Sequence, residues 1–429
     1  MEKEKGIAIR DERAKADYWI SRQANGDEIL MSPGDIKQLN GLMELSCRSL
    51  VELLGFPHNL EKIILSEMIL EAQQDFRNGD GAGEYYDSDG SVVGSEVLKA
   101  ARDNCALSEL RRRNPARYAV TTERADVRLM PTIQKFYDDR ACLHYDLMQG
   151  TILDPCEPGI VFHESRDGKF VFLQARHYTG WVLRSALAYT DAEIWEKYVQ
   201  PKDFLVVTEN KKYVGTGSSE KVLFQMGSTI LLREGECEEN GFWKAVLPIS
   251  AGGRLREIEI SLPYDGSFHR GWLPCTFDNW IRQAFKFLGD GYGWGGMEES
   301  VDCSAFVGAV CRSMGIEIPR DADQQELVMP HKVDFSGLSS ERRRELIAKV
   351  PAGSLIFKPG HVLMYLGTDD SGIPLAIHAA SSYFTFNGDS GEKHYVREIL
   401  VSDLTYKGSS GMETIDDITS VGCFMNVDI

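Results

Sequence analysis

The sequence contains no run of 18 apolar residues, so no transmembrane helix is expected. It has no excess of positive charge. The formal net charge is -18, which argues against nucleic-acid binding, a role that needs a basic footprint, and disfavours docking on an anionic membrane surface. It contains no CxxC. The nine cysteines are odd in number and widely spaced, so neither a disulfide framework nor a zinc knuckle is expected, and reduced thiols fit best. The opening stretch MEKEKGIAIRDERAKADYWI lacks a continuous apolar core and does not read as a secretory leader. Taken as the natural start, it predicts a cytoplasmic protein; the alternative is export after loss of a leader.

What is present is enough apolar material for packed cores, 43% of 429 residues. The length predicts roughly three domains. Residues 1–125 read as mainly helical. Ser32-Pro33 followed by Asp35 is a helix-start pattern, and Ile36, Leu39, Met43, Cys47, Leu50 and Leu54 recur at steps of three and four. The Gly-rich, acidic RNGDGAGEYYDSDGS reads as a loop. From residue 126 the pattern turns to short strands, with a hairpin signal at Asp167-Gly168 and Gly-Trp steps at Gly180-Trp181 and Gly271-Trp272. Two small β-barrels are expected, over 126–200 and 201–275. Residues 276–429 mix helices (FDNWIRQAFKFLG, DCSAFVGAVCRSMG, SSERRRELIAKV) with strands (GSLIFK, HVLMYLG, LAIHAA), an α+β order.

Chemistry concentrates in this last part. Cysteine is among the most buried residue types, so packing is the first reading of any one thiol. Cys303, however, opens a helix, where first-turn amides and the helix dipole are expected to lower its pKa; Cys311 lies mid-helix on the face made by Val307, Val310 and Met314. A cysteine nucleophile needs a base, and the base needs an orienting partner. His361 begins one strand and His378 lies in the next. A hairpin centred near Asp369 and Asp370 makes the two imidazoles cross-strand neighbours on one face. A metal held by Cys303, His361 and His378 is the alternative, without an evident fourth ligand. Upstream, DGYGWGG reads either as a turn packed on the following helix or as a loop that brings backbone to a substrate and aims the Tyr292 hydroxyl at an oxyanion.

In this order, GYGWGG, DCSAFVGAVCRSMGIEIPRDADQQ, GSLIFKPGHVLMYLG and IHAA resemble the NlpC-type cysteine peptidases, bacterial cell-wall hydrolases with a papain-like fold. The resemblance covers about 276–429 and implies Cys303 as nucleophile, His361 as base, His378 as the third polar member and Tyr292 on the oxyanion side. The sequence departs from the family pattern at Ala305, where many members carry Gly, and at Lys358-Pro359. The two expected barrels resemble bacterial SH3-like domains, and the helical start resembles a clip-like N-terminal segment. This architecture implies a γ-D-glutamyl-L-diamino acid endopeptidase that cuts peptidoglycan-derived stem peptides carrying a free L-Ala amine. It needs no cofactor. Tyr178 of the first barrel, with Asp302 and Ser304, matches positions that contact substrate. The family's barrel carboxylate has no clear match, since Gln149-Gly150-Thr151 stands at that place; Asp146 or Glu164 is the nearest substitute. Alternatives to this reading are a cell-wall-binding protein with a non-catalytic papain-like scaffold, and a papain-like amidase or acyltransferase on another amide.

Overall fold

The computed structural model describes residues 6–74, 76, 84–217, 221–235 and 238–426; residues 77–83 of the expected acidic loop lie outside these. With 25% helix and 36% strand, the chain is of the mixed α+β class. It divides into two units, one of Met1–Arg48 with Trp272–Ile429, the other of Ser49–Gly271.

The first unit is built on a six-stranded antiparallel sheet. Its strand order is His331–Asp334, Ser420–Cys423, Leu355–Lys358, His361–Thr368, Pro374–Asn387 and Ser390–Asp403. The helix Cys303–Ser313 packs on the His361 and Pro374 strands, and the helix Phe277–Phe285 packs on the Cys303 helix. Phe306 of the Cys303 helix meets Phe287 edge to face at 5.5 Å, and Val307, Val310, Cys311 and Met314 are buried beside it. The helix stops where expected: Gly315 adopts a left-handed φ of 80° just past its end.

The expected N-terminal segment 1–125 is not one piece. Its first part belongs with the six-stranded sheet: the Ile9 amide donates to the Val401 carbonyl at 2.8 Å, and Arg13 pairs with Asp369 at 2.8 Å. The helix Pro33–Ser46 starts in a capping box of Ser32 and Asp35. Its Asn40 donates to the Gly315 carbonyl at 2.8 Å and accepts from the Glu317 amide at 3.0 Å, so it clamps the exit of the Cys303 helix.

In the second unit strands already occur before residue 126, at Asn59–Glu61, Tyr85–Tyr86, Val92–Val93, Arg113–Pro115 and Arg117–Thr121. The RYAVT strand was hidden because it follows an arginine-rich run rather than a turn signal. A continuous set runs Gln149–Leu153, Ala125–Arg128, Thr179–Leu183, Phe170–Gln174, Pro158–Glu164, Arg117–Thr121 and Leu187–Thr190. Trp181 and Phe172 are fully buried within it. A parallel bridge from Tyr189 to Arg254 joins this set to the long hairpin Phe242–Ala251 and Arg254–Pro263, beside which lie a three-stranded sheet around Phe204–Val207 and the pair Lys211–Gly215 and Lys221–Gln225. Among the described residues, no helix is long and apolar enough to cross a membrane, and eight cysteines are free and buried.

Candidate active site

Cys303 is the first residue of its helix because Asp302 caps it, accepting from the Ala305 amide at 2.9 Å. The thiol is buried, with 8% exposure, and the Val362 backbone amide points toward it. Cys303 therefore lies against the strand that starts with His361. Its pKa goes the opposite way from the sequence expectation. Burial, then the adjacent Asp302 carboxylate, push the thiol up to about 12, against the Val362 and Ser304 amides and the Arg320 charge. At this buried position, desolvation of a thiolate outweighs the pull of the helix start.

His361 and His378 are hydrogen-bonded, Nε2 to Nδ1, at 2.8 Å. They meet as expected, but in a different register. Met364 pairs with Ile377 and Tyr365 with Ala376; a bulge then shifts the ladder, so that Gly367 pairs with Leu375. The two histidines are diagonal rather than directly opposite neighbours on one face. The turn is longer than DD alone because Asp369 accepts from the Ser371 and Ile373 amides, closing a loop over 369–373. His378 is fully buried, and its Nε2 meets the Ser402 Oγ at 2.9 Å. Both His378 nitrogens are thereby engaged by side chains of the same sheet. Burial and then the Lys358 charge hold His361 neutral, with its pKa down to about 3; burial and the His361 and Lys358 charges hold His378 well below its ordinary value. Lys358 itself is lowered to about 8 by burial, lies over the Tyr406 ring and bonds the Thr414 hydroxyl at 3.1 Å.

The loop with GYGWGG is tied to the same helix start. The Gly295 amide donates to Asp302 at 3.0 Å, and the Tyr292 amide donates to the Arg397 carbonyl at 3.0 Å. Tyr292 is buried at 6% exposure. Gly293 is required for room, since a Cβ there would meet the Met297 carbonyl oxygen and lie 3.0 Å from Ser300.

Asp302 and Ser304 are placed otherwise than as free substrate contacts. Asp302 takes five donors from its own unit: the Ala305 and Gly295 amides, the Ser304 hydroxyl, and two Arg320 nitrogens at 3.1 and 2.5 Å. A carboxylate offers about four acceptor positions, so none is left for a substrate amine. Ser304 Oγ donates to Asp302 and accepts from Arg320 at 2.8 Å. Burial raises the Asp302 pKa, but the Arg320 charge and these hydrogen bonds win, and it stays below the ordinary carboxylate value. Arg320 was not singled out in the sequence; its signal is the PRDADQQ stretch, read only as a motif.

In the other unit, Tyr178 lies between two apolar clusters, and its ring fills the space above Gly150, where a Cβ would sit 2.5 Å from a ring carbon. Neither substitute carboxylate is free for an amine. Asp146 is fully buried, paired with Arg128 at 2.6 Å and bonded to the Phe136 and Met148 amides. Glu164 pairs with Arg117 at 2.5 Å and faces Arg184 at 3.6 Å.

Residues 289–402 match the NlpC/P60 family, and residues 136–183 match the SH3 domain of SH3b1 type. No curated protein sequence matches the chain. Among solved structures, an NlpC/P60 endopeptidase from Photobacterium damselae subsp. piscicida is similar, with a TM-score of 0.79, 18% identity and 98% of each chain covered. An NlpC/P60 family protein from Bacillus cereus ATCC 10987 aligns with a TM-score of 0.45 and 19% identity over 65% of this chain and 83% of that one. Residues 289–402 are thus an NlpC/P60 domain preceded by an SH3 domain, the arrangement of a cysteine peptidase, and NlpC/P60 peptidases act on peptidoglycan.

Proposed function

We propose that the NlpC/P60 domain of this chain hydrolyses the γ-D-Glu–diamino acid bond of peptidoglycan stem peptides that carry a free N-terminal L-Ala. The observation that carries the catalytic part is the hydrogen-bonded His361–His378 pair beside the helix start of Cys303. Nε2 of His361 is engaged by His378, so Nδ1 is the nitrogen left to take the thiol proton. The sulfur attacks the γ-glutamyl carbonyl, and the proton moves to His361. The C–N bond then breaks as that proton passes to the leaving amine. Water attacks the thioester, and its proton returns through His361 to restore the thiol. The Cys303 amide and the Tyr292 hydroxyl are assigned to the oxyanion.

The free-amine rule rests on the family resemblance, with Tyr178 as the barrel contact. Asp302 and Ser304 hold the helix start in this reading and do not bind the amine. A site that rejects an acylated terminus does so by leaving a buried polar partner unpaired.

The test is incubation with L-Ala-γ-D-Glu-diaminopimelate and its N-acetyl form, followed by chromatography of the products. The reading predicts release of diaminopimelate from the free peptide, none from the acetylated one, and none with Cys303→Ala. If neither peptide is cut, or if Cys303→Ala cuts as wild type does, the peptidase assignment is wrong. Equal cutting of both peptides removes only the free-amine rule.

A further inference from the structure

Three neighbouring strands each place one polar side chain on the same face of the sheet. His361 bonds His378 at 2.8 Å, and His378 bonds Ser402 at 2.9 Å. Ala376 pairs with Ser402 and His378 with Leu400, so Ser402 is the diagonal neighbour of His378 on one side, as His361 is on the other. His378 and Ser402 are fully buried. The groups facing His378 are His361 from its strand, Lys358 from the end of the preceding strand, and Tyr406, whose ring lies parallel on the imidazole at 5.6 Å and 10°. His378 therefore has a fixed plane and one hydrogen-bond partner on each nitrogen.

We propose that Ser402 is a positioning residue that sets the tautomer of His378 and, through it, that of His361. The inference rests on the peptidase reading above. For His361 to accept a proton at Nδ1, its own proton must sit on Nε2. That Nε2–H donates to His378 Nδ1, which must then be bare. The His378 proton is left on Nε2, where it needs an acceptor. In this arrangement Ser402 Oγ, 2.9 Å away, accepts it through a lone pair, its own proton turned aside. Without it, His378 gains by moving its proton to Nδ1, donating to His361 Nε2 and forcing the His361 proton onto Nδ1, where it blocks the thiol.

Long-range ¹H–¹⁵N spectra of ¹⁵N-histidine-labelled full-length protein at neutral pH read the tautomer directly, with His378→Gln assigning the signal. Wild type is expected as the Nε2–H form and Ser402→Ala as a mixture, with kcat down ~10- to 100-fold, KM little changed and the melting temperature near wild type. Ser402→Thr keeps the hydroxyl and is expected to restore the tautomer and most of kcat. A wild-type Nδ1–H form overturns the proposal, as does a Ser402→Ala protein with wild-type tautomer and kcat. If wild type cuts no stem peptide, the peptidase reading fails, and the spectra alone still decide whether Ser402 sets the tautomer.

Discussion

Arg320 grips Asp302 with two nitrogens, at 3.1 and 2.5 Å, directly before Cys303, and both side chains are nearly buried. The pair joins three things: the cap of the Cys303 helix, the Tyr292–Gly296 loop through the Gly295 amide, and the segment after the helix. Asp302 charge raises the thiol pKa, and Arg320 charge opposes it. The ion pair thus stabilises the helix start without leaving a net negative charge beside the sulfur.

Removing Arg320 leaves a buried carboxylate with no counter-charge. Arg320→Met is expected to cost about 3–5 kcal/mol by denaturant unfolding. Arg320→Met combined with Asp302→Asn is expected to recover part of that cost, because the amide keeps an acceptor for Ala305 and buries no charge. Two additive losses would mean that the residues do not act as a pair.

The neutral histidines make stability depend on pH. His361 has a folded pKa of about 3 against an ordinary 6.5, so the unfolded chain binds its proton first. The stabilisation is present above about pH 6.5 and is lost as pH falls toward 3, at about 1.4 kcal/mol per pH unit for one group. Subtracting the His361→Gln unfolding curve from wild type between pH 7 and 4 isolates it. Lys358→Met removes a positive charge facing both rings, so their pKa values rise and the slope moderates. A His361→Gln curve parallel to wild type would show that His361 is not held neutral.

The parts of the site legible in the sequence were those carried by local pattern. A helix start marks Cys303, and an alternating hairpin brings His361 and His378 to one face. The register was misjudged by two residues because the Asp369 side chain closes a longer turn and a bulge shifts the ladder, neither of which alternation encodes. Arg320 and Ser402 were missed for a different reason. Each acts through a partner far along the chain, and neither an isolated arginine after a helix nor a serine in a strand carries a periodic signal. The thiol pKa was misread because the helix dipole is visible in a sequence and desolvation is not. The N-terminal segment was read as one body because helical spacing continues across Arg48, although its two halves join different units.

Gly293 is a test of the loop that carries Tyr292. No unusual φ is needed there, only space, since a Cβ would meet the Met297 carbonyl and the Ser300 backbone. Gly293→Ala is expected to cost about 1–3 kcal/mol by displacing that loop, and to lower kcat more than it raises KM if Tyr292 serves the transition state. A fully stable variant with unchanged kcat would show that the loop tolerates movement and that Tyr292 need not be held there.

The resting state of the Cys303 thiol departs from that of an ordinary helix-start cysteine. A helix-start cysteine beside a histidine is ordinarily expected as thiolate with imidazolium, and such a pair alkylates at a rate that levels off at mildly acidic pH. Here burial and Asp302 push Cys303 up to about 12, and His361 is held neutral, so the substrate-free site contains a thiol and a neutral imidazole. The thiolate fraction then climbs about tenfold per pH unit. Iodoacetamide labelling of Cys303, followed by mass spectrometry of its peptide against denatured protein, is expected to rise through pH 6–9 without a plateau. At pH 7 it should stay far slower than labelling of the unfolded chain. The Cys303 peptide is read separately because the other described cysteines are buried as well. A plateau near pH 5–6 would establish an ion pair at rest and would mean that the helix start outweighs desolvation after all. A steady climb means that the proton leaves sulfur only as the carbonyl is attacked, with His361 taking it in the same step.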